Sequence, residues 1–441
     1  MQWSRYNMLF ESKNNGWLLY NSGSNSFVQM DDRAAEFVRQ VAESPNGDFS
    51  SNFDMILKLR LGGFLVEDGK DDELFNIIKM KYLIAHFSNS HLKLTIALTR
   101  ECNFGCHYCY QQDRIASCID DDTEEKIVNF IKKHNLVNEI SISWYGGEPL
   151  LEFGRIKSLT EKIEIIGKKY SASLTTNGYF LTSEVIAALD NLKIKDIQIT
   201  IDGSKEKHDS RRHLIGGGAT YDVIISNIDN LFQSGWEGEL NCRVNIDSTN
   251  EEEFVKVYRF FEDRYPSKIN KQIFISPGFV DDHRNPDGNS CYFDSRKKGE
   301  FLSKLASEFG INALPIFPRI NIGGCGVNTK NAYLIGPEGE LYKCWDDLGE
   351  KDEIVGYIDS FTNWNTSLIA QGIVEASYVE NDKCKKCFCF PICNGGCPKY
   401  RILNKRDGGK RDYCSHFKSH AKELLEIHYE QTKKQRQQST V

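Results

Sequence analysis

The sequence lacks a long apolar run and any excess of basic charge, and each absence excludes a class of function. No stretch of the 441 residues approaches the roughly 18 consecutive apolar residues that cross a bilayer. The first residues also lack a basic segment followed by an apolar one. A formal net charge of -7 argues against the basic surface of a nucleic-acid-binding protein. We therefore expect a soluble cytoplasmic protein with no membrane or nucleic-acid partner.

The cysteines are not scattered as in a small secreted disulfide framework. The chain has 14 of them, and most fall between residues 102 and 109 or between 325 and 414. In a chain of this size, such clustering indicates metal ligation in a reducing compartment. The hydrophobic fraction of 40% indicates folded cores. At roughly 100–200 residues per domain, the length predicts two to four domains.

Residues 1–90 contain no motif cysteine and predict a small α+β module. The pattern consists of two apolar runs around a turn-rich segment, two stretches with apolar residues at helical spacing, and a further apolar run. The predicted elements are strands at Tyr6–Leu9 and Trp17–Tyr20, helices at Asp31–Ala42 and Phe53–Leu61, and a strand at Gly62–Val66. This order predicts a winged-helix-like module, with a simple scaffold extension as the alternative.

Residues 91–310 alternate between strand and helix patterns. The predicted strands are Leu92–Leu98, Ile140–Trp144, Ala172–Thr175, Ile197–Ile201, Leu240–Ile246 and Ile273–Ser276. The predicted helices are Glu124–Lys133, Arg155–Lys168, Ser183–Leu192, Tyr221–Phe232 and Glu251–Phe261. Strands joined by helical crossovers pair in parallel, and six repeats fall short of a closed eight-stranded barrel. The sequence therefore predicts an α/β fold with a partial (β/α)6 barrel.

Polar or glycine-rich motifs follow four of the predicted strands. The motifs, in chain order, are a cysteine triplet, Gly146-Gly147-Glu148-Pro149, Thr176-Asn177-Gly178 and Asp202-Gly203. In barrel-like α/β folds, the loops after the strands all lie on one face and build the active site. We therefore expect these four motifs to converge.

The triplet Cys102, Cys106 and Cys109 has C-x3-C-x2-C spacing. Three thiolates at such spacing can bind three corners of a four-iron cluster and leave the fourth iron open to an exchangeable ligand. A zinc site is the alternative, but no histidine or cysteine follows at zinc-finger spacing, and His107 lies inside the motif. The spacing favours the cluster.

The stretch Cys102–Tyr110 resembles the signature of the radical S-adenosylmethionine (SAM) enzymes, and Gly146–Pro149 is similar to their methionine-binding segment. In that family, the open iron takes the amino and carboxylate groups of SAM, and one-electron reduction yields a 5′-deoxyadenosyl radical. The resemblance implies that Gly146 and Gly147 allow close backbone approach. It also implies that Glu148 accepts a hydrogen bond from the ammonium group of SAM.

Two further segments resemble SAM contacts of the same family. Thr200-Ile-Asp-Gly, followed by a segment that ends at Arg212, is similar to a pattern whose hydroxyl residue and arginine contact the ribose and the carboxylate. An arginine suits a carboxylate because it can bind it in bidentate fashion. Arg211 is adjacent, so the sequence leaves open which arginine does this. Asn177 either hydrogen-bonds the ribose or caps a helix.

The C-terminal cysteines resemble the SPASM extension, which carries two auxiliary four-iron clusters, so that residues 311–441 form a third domain. The seven motif cysteines are Cys325, Cys344, Cys384, Cys387, Cys393, Cys397 and Cys414. The resemblance assigns Cys384, Cys387, Cys393 and Cys414 to the distal cluster. It assigns Cys325, Cys344 and Cys397 to the nearer one, whose fourth ligand is Cys291, Cys389 or absent. A zinc ribbon over residues 384–397 is the alternative.

The whole arrangement resembles the maturases of ribosomally made peptides. In that family, an N-terminal module of this kind captures the leader of a precursor peptide by strand addition. The resemblance implies a SAM-dependent enzyme with one SAM-binding and two auxiliary [4Fe-4S] clusters, served by an electron donor such as flavodoxin or ferredoxin. The implied product is a carbon–carbon, ether or thioether cross-link in the peptide. An auxiliary cluster would accept the leftover electron.

Two alternatives remain at this point. An anaerobic sulfatase maturase has the same architecture, but its family carries a base aspartate directly after the second cysteine of the nearer cluster. Trp345 occupies that place here, followed by Asp346. The other alternative is a non-enzymatic iron–sulfur or zinc protein, which leaves the four converging motifs unexplained. The candidate bases are Asp281, Asp282 and Asp346.

Overall fold

The structure is a computed structural model that describes residues 1–111, 116–280, 293–320, 322–360 and 363–438. The strands are β1 (Gln2–Trp3), β2 (Asn7–Ser12), β3 (Gly16–Asn21), β4 (Ser26–Met30), β5 (Leu65–Val66), β6 (His91–Ala97), β7 (Glu139–Tyr145), β8 (Lys169–Thr176), β9 (Ile194–Thr200), β10 (Glu239–Ile246), β11 (Ile273–Phe279), β12 (Ala332–Ile335), β13 (Glu340–Tyr342) and β14 (Gly356–Tyr357). The helices are α1 (Asp32–Glu43), α2 (Phe53–Leu61), α3 (Lys70–Phe87), α4 (Asp121–Lys133), α5 (Phe153–Glu164), α6 (Ser183–Ala188), α7 (Lys205–Arg211), α8 (Tyr221–Gln233), α9 (Glu253–Arg264), α10 (Ser295–Glu308), α11 (Thr366–Ala370), α12 (Asp382–Lys385), α13 (Pro398–Asp407) and α14 (Phe417–Gln438).

The largest sheet has nine strands in the order β11-β10-β9-β8-β7-β6-β12-β13-β14. Strands β6 to β11 pair in parallel in chain order, with helices between them, which confirms the predicted α/β fold and its parallel core. On the far side of β6, β12 pairs in parallel, and β13 and β14 follow in antiparallel pairs. The cysteine-rich C-terminal part therefore contributes strands to the core sheet, which the sequence patterns did not predict.

The core lies between the parallel strands and their helices. Along β7, Ile140, Ile142 and Trp144 are buried, whereas the alternating Ser141 and Ser143 are partly exposed on the opposite face of the sheet. This period of two places apolar side chains against the helices and polar ones on the inner face of the partial barrel. The same alternation buries Cys242 of β10 completely, where it packs as a small apolar core residue.

The N-terminal module combines α1 to α3 with an antiparallel sheet in the order β2-β3-β4. The predicted hairpin is β2 and β3, and its turn reaches Gly16 with a φ of 69°. The strand predicted over residues 62–66 is shorter, because Gly62 ends α2 and Gly63 has a φ of 74°. Only Leu65–Val66 remains extended, paired with β1.

This module packs against the C-terminal part of the chain. On one side, Tyr20 of β3 lies in an aromatic cluster with Phe317 and Phe388, with ring centroids 5.9 Å apart in both pairs. Glu426 of α14 accepts hydrogen bonds from the hydroxyl of Ser12 and from the backbone N–H of Lys13. The first and last segments of the chain are therefore neighbours in the fold.

Among the described residues, no helix combines the length and the apolarity that crossing a membrane requires.

Truncation of Trp144, one of the largest fully buried side chains, tests this core. We expect Trp144→Ala to lower the stability by about 3–5 kcal/mol, since it removes a large packed aromatic and leaves a cavity. Trp144→Phe, which keeps an aromatic ring, is the matched control and should cost less. Thermal unfolding of both variants measures the difference. Equal Tm values for the two would contradict the packing described here.

Candidate active site

The cysteine triplet lies in the loop that follows β6. Phe104 is buried and anchors this loop in the main core. The backbone N–H of Gly105 donates to the carbonyl of His213 at 2.9 Å, and the N–H of Ile215 donates to the carbonyl of Asn103 at 2.9 Å. The loop is thus fastened to the segment after α7 while its three thiols remain partly exposed.

The glycine pair after β7 supports the start of the cysteine loop. The N–H of Gly147 donates to the carbonyl of Thr99 at 2.9 Å, and the N–H of Glu148 donates to that of Glu101 at 2.8 Å. A β carbon on Gly146 would lie 2.3 Å from the carbonyl oxygen of Thr99, and one on Gly147 would lie 2.0 Å from that of Glu101. Both positions require glycine because the two backbones touch. The close backbone approach that these two glycines allow is therefore an approach to the start of the cysteine loop.

Glu148 is completely buried, and its side chain joins its own loop to the loop after β8. Its carboxylate accepts hydrogen bonds from the N–H of Leu150 at 3.0 Å, the hydroxyl of Thr176 at 2.7 Å and the N–H of Asn177 at 2.7 Å. Burial raises the pKa of Glu148, and these three hydrogen bonds oppose that rise. A carboxylate has about four acceptor positions, so one remains for a further donor.

Asn177 connects the loop after β8 to the cysteine loop. Its side-chain amide donates to the side-chain carbonyl of Asn103 at 2.7 Å, and its own carbonyl accepts from the N–H of Tyr179 at 2.9 Å. The second bond is a local turn rather than a helix cap. The first places Asn177 beside Cys102, whose sulfur lies 3.9 Å from the same amide nitrogen.

The structure distinguishes the two adjacent arginines. Arg211 is engaged by carboxylates: its Nε donates to Asp202 at 3.3 Å, and its Nη1 donates to Asp247 at 3.1 Å. Arg212 donates from Nη1 to the hydroxyl of Tyr108 at 2.7 Å. Its Nε is buried and has no hydrogen-bond partner among the described residues. Arg212 is therefore the arginine with a donor left for a ligand.

Several residues that the motifs did not single out complete this region. Tyr108, between the second and third cysteines, accepts from Arg212 and from the side-chain amide of Asn245 at 3.0 Å. Asp202 accepts from the N–H of Asn245 at 3.1 Å. Asn245 and Asp247 stand at the end of β10, the fifth parallel strand. The loops after parallel strands all lie on one face, so the reasoning that identified the first four motifs also applies to the polar residues at the end of β10.

Thr200 is buried at the end of β9, where it pairs with Arg243 of the neighbouring strand β10.

Of the candidate bases, Asp346 is half-buried and acts electrostatically on Tyr110 and Tyr145. Asp281 and Asp282 lie outside the described residues.

The cysteine loop touches the C-terminal part at Trp345, which follows Cys344. The hydroxyl of Tyr110 donates to the backbone carbonyl of Trp345 at 3.3 Å and lies 2.8 Å from the hydroxyl of Tyr145. The Trp345 ring packs edge-on against both tyrosines, with centroids 5.9 and 6.3 Å away. The segment that directly follows Cys344 is therefore in contact with the predicted radical-generating loop.

The C-terminal cysteines form two neighbourhoods. Cys393 interacts electrostatically with Cys384 and Cys387, and the Lys418 ammonium acts on Cys384, Cys387 and Cys414. Three of these sulfurs accept from nitrogen donors, Cys384 from Arg401 at 3.2 Å, Cys393 from Gly395 at 3.3 Å and Cys414 from Lys418 at 3.5 Å. Donors of this kind suit thiolates that bind an iron–sulfur cluster.

The second neighbourhood contains Cys325 and Cys344, whose thiols interact electrostatically. Cys397 directly precedes α13, which packs against the turn Gly326–Asn328 after Cys325. Cys389 is buried beside Cys387 and Cys393, with the set assigned to the distal cluster. Cys291 lies outside the described residues.

No disulfide bond joins the cysteines in the described part of the chain, which include the exposed Cys118. That part of the chain contains no group of three or more His, Cys, Asp or Glu side chains gathered around one point closely enough for a single metal ion.

The thiols and the hydrogen-bond donors around the loop after β6 fit a four-iron cluster and SAM. Burial raises the pKa of the Cys106 thiol, and the Arg212 guanidinium opposes this. Two buried donors, Arg212 Nε and Asn103 Nδ2, have no partner among the described residues.

Variants of the two adjacent arginines test the predicted SAM site. We expect Arg212→Ala to weaken SAM binding by roughly 10–100-fold, since a hydrogen bond to a charged group contributes about 1.5–3 kcal/mol. Arg211→Ala should instead lower Tm, because it leaves two buried carboxylates without their cation. Calorimetric SAM titration of the reconstituted enzyme measures the first effect. Tyr108→Phe controls for the lost Tyr108 bond, and wild-type affinity in Arg212→Ala would refute the assignment.

Comparison with known proteins finds a family profile that matches the part of the chain carrying this site. The Radical SAM superfamily profile matches residues 96–261, the span from β6 to α9 that carries all four motifs. A cysteine-type anaerobic sulfatase-maturating enzyme of Clostridium novyi is 25% identical over 72% of this chain and 91% of its own. The corresponding enzyme of Clostridium perfringens is 24% identical over the same shares of the two chains.

Solved structures share the fold. The structure of anSMEcpe with bound AdoMet and the Cp18Cys peptide superposes with a TM-score of 0.60 at 20% identity, over 77% of this chain and 97% of that one. Streptococcus suis SuiB superposes with a TM-score of 0.52 at 16% identity, over 94% of this chain and 99% of that one. The profile match, the converging motifs and the cysteine triplet thus agree, and residues 96–261 form a radical SAM domain, whose cofactors are S-adenosylmethionine and a [4Fe-4S] cluster.

Proposed function

We propose that this enzyme closes an intramolecular cross-link in a ribosomally made precursor peptide. The observation that carries the proposal is the contact between Tyr110 and Trp345, which joins the Cys102–Cys109 loop to the loop of Cys344. A cross-linking enzyme needs an electron acceptor near the substrate radical. This contact brings a candidate acceptor site next to the site of radical formation.

The proposed division of labour follows three parts of the chain. Residues 1–90 bind the leader of the peptide, residues 91–310 hold SAM and the reacting segment, and residues 311–441 hold two auxiliary clusters. SuiB is known in a complex with its precursor peptide SuiA, and anSMEcpe in a complex with the Cp18Cys peptide. Both complexes support a peptide as the substrate class.

The proposed SAM contacts use the donors and acceptors around the cysteine loop. Cys102, Cys106 and Cys109 would hold the cluster, and Arg212 Nε would donate to the SAM carboxylate. The remaining acceptor position of Glu148 would take the ammonium group. Asn177 and Thr200 would contact the ribose.

The inner face of the partial barrel offers polar groups to a peptide. The hydroxyls of Ser141 and Ser171 lie 3.0 Å apart, and those of Ser143 and Ser173 lie 2.9 Å apart, along the paired strands β7 and β8. Arg243 of β10 is a further polar group, bonded through Nε to Asn245 at 2.9 Å. Such a surface suits a backbone rich in carbonyl and N–H groups.

When bound, SAM and the clusters supply a carbon radical and remove one electron. The peptide would lose one hydrogen atom to the 5′-deoxyadenosyl radical, which becomes 5′-deoxyadenosine. Closure of the new bond would then release a proton and one electron, and an auxiliary cluster held by residues 311–441 would accept that electron. The side chains of the enzyme orient the peptide, and Asp346, beside Tyr110 and Tyr145, is the candidate that would take the proton.

Coexpression with the short peptide encoded beside the gene tests this proposal. We expect the peptide to lose two hydrogen atoms per cross-link, as measured by high-resolution mass spectrometry with fragmentation across the linked segment. Cys102→Ala should leave the mass unchanged, because the cluster loses a ligand. Cys118→Ala, which changes an exposed thiol outside the motif, is the matched control. An unmodified peptide with the wild-type enzyme and its reductant would contradict the proposal.

The sulfatase-maturating relatives favour one second candidate, oxidation of a cysteine or serine to formylglycine. Trp345 occupies the place of the base aspartate in that family, and Asp346 follows it. Serine oxidation also removes two hydrogen atoms, so mass alone does not separate the two reactions. A hydroxylamine probe does, since only formylglycine carries an aldehyde. Labelling of the product by this probe would favour the second candidate.

Proline substitutions in the edge strand β4 test whether this strand binds the leader peptide. Within the described residues, β4 pairs only with β3, and Val28 and Gln29 are exposed. Successive N–H groups of a strand point to opposite edges. Proline at one of these two positions therefore removes an outward donor, and proline at the other removes a bond to β3. We expect one of Val28→Pro and Gln29→Pro to weaken leader binding at least tenfold with unchanged Tm.

Val28→Ala and Gln29→Ala keep the backbone N–H and serve as controls. Fluorescence anisotropy with a labelled leader peptide measures the affinity. Wild-type affinity in both proline variants would exclude β4 as the docking edge.

A further inference from the structure

Residues 383–422, which include the four cysteines assigned to the distal cluster, are strongly basic. They contain eleven Lys and Arg and only two acidic residues, so this segment has a formal charge of +9, whereas the whole chain has -7. We call residues 383–422 the basic region. A charge asymmetry of this size within one chain indicates an acidic binding partner.

Three parts of the basic region are held together around the cysteines. Arg401 of α13 donates to the sulfur of Cys384 at 3.2 Å and to the carbonyl of Gly395 at 2.7 Å. Its guanidinium also lies over the ring of Tyr413, 4.2 Å from the ring centroid. The backbone N–H of Cys397 donates to the carbonyl of Tyr413 at 3.3 Å. The positive charges are therefore neighbours in the fold as well as in the sequence.

Two cations of the basic region contact sulfurs of the distal set directly. Arg401 reaches Cys384, and the ammonium of Lys418 lies 3.5 Å from the sulfur of Cys414 and acts electrostatically on Cys387. Reduction adds negative charge to an iron–sulfur cluster, so positive donors at its sulfurs raise its reduction potential. The two cations therefore favour the reduced state of the distal cluster.

Further lysines of the basic region face solvent. Lys383, Lys386, Lys410 and Lys422 are exposed, and none of them forms an ion pair with a carboxylate within the described residues. Four other cations of the region do pair with carboxylates. The unpaired lysines flank the distal cysteines in the chain and leave their charge available to a partner.

We propose that the basic region docks an acidic one-electron carrier protein, which takes the leftover electron of the cross-linking reaction from the distal cluster. This inference rests on the proposed function, which places two auxiliary clusters in residues 311–441. Each cross-link leaves one electron there, and it must depart before the next turnover. One electron moves from the reduced cluster to the oxidised carrier, and no atom is transferred. Opposite charge draws the carrier to the region and speeds encounter.

Stopped-flow electron transfer tests the docking surface. The full-length enzyme carries alanine at the three cysteines of the C-x3-C-x2-C motif, so that only auxiliary clusters are loaded. It is reduced, freed of reductant and mixed with an oxidised acidic flavodoxin. We expect the triple variant Lys383→Glu, Lys386→Glu, Lys410→Glu to slow flavin reduction about tenfold or more at ~0.01 M ionic strength. The difference should vanish near ~1 M, where charges are screened.

The matched control reverses three lysines elsewhere: Lys132→Glu, Lys271→Glu and Lys304→Glu. These lysines are also exposed and pair with no carboxylate in the described part of the chain. The control should reduce flavodoxin at the parent rate. Glutamine at the three docking positions removes charge without reversing it and should give an intermediate rate. Iron content and the EPR spectrum of the reduced enzyme verify that each variant holds its clusters.

The outcomes separate the two proposals. Equal rates in the docking variant and the control, with equal iron content, would overturn the docking surface alone. A labelled single-stranded oligonucleotide is the second probe. If the docking variant loses oligonucleotide binding but keeps the parent rate of flavin reduction, the region binds nucleic acid and the proposal is wrong. A parent that holds no auxiliary-cluster iron would instead remove the electron acceptor on which the proposed function depends.

Discussion

The backbone contact between the glycine pair and the start of the cysteine loop is the constraint on which the site depends. Gly146 and Gly147 lie so close to Thr99 and Glu101 that no side chain fits between them. This contact places the loop after β7 under the loop after β6. Glu148, next in the chain, then carries the same constraint to the loop after β8 through Thr176 and Asn177. These contacts hold the loops after β6, β7 and β8 in fixed positions relative to one another.

A second constraint comes from the C-terminal part, which is built into the core rather than attached to it. β12 continues the parallel sheet at β6, the strand that leads into the cysteine triplet. Cys344 follows β13 by two residues, so its position is fixed relative to β6 through two sheet pairings. The Tyr110–Trp345 contact is the result. Relative placement of the two cysteine groups is therefore a property of the sheet.

The sequence predicted the parts of the fold that have strong periodicity. Apolar spacing located the strands β6 to β11, and it located α4, α5, α8 and α9, which are 12 or 13 residues long and amphipathic. The short helix α7 was not predicted, because its seven residues are too few for a period to show. The strands β12 to β14 have two to four residues each, too few for a period to show. α3 was not predicted because it is apolar on more than one side: Ile78 and Tyr82 are buried, whereas Met80 and Ile84 are exposed.

The site was predictable to the level of segments and less so to the level of atoms. Cysteine spacing and motifs after strands identified the cysteine loop, the glycine pair and the arginine pair. Adjacent residues such as Arg211 and Arg212 are equivalent in sequence, and only tertiary partners show that Asp202 and Asp247 engage the first. His86 packs against Gly324, roughly 240 residues away in the chain, and neither residue belongs to a predicted motif. Contacts of that separation have no local signal.

The pairing of β6 with β12 also has a consequence for synthesis of the protein. β6 ends at Ala97, but β12, which pairs with its other edge, ends only at Ile335. At ~5–20 residues per second, translation of the intervening chain takes roughly 10–50 s. During that time, one edge of the central strand has no partner, and exposed edges of this kind favour aggregation. The nascent chain therefore passes through a long interval in which this edge of β6 is open to incorrect pairing. Sequence separation of this size also makes the final closure of the sheet slow.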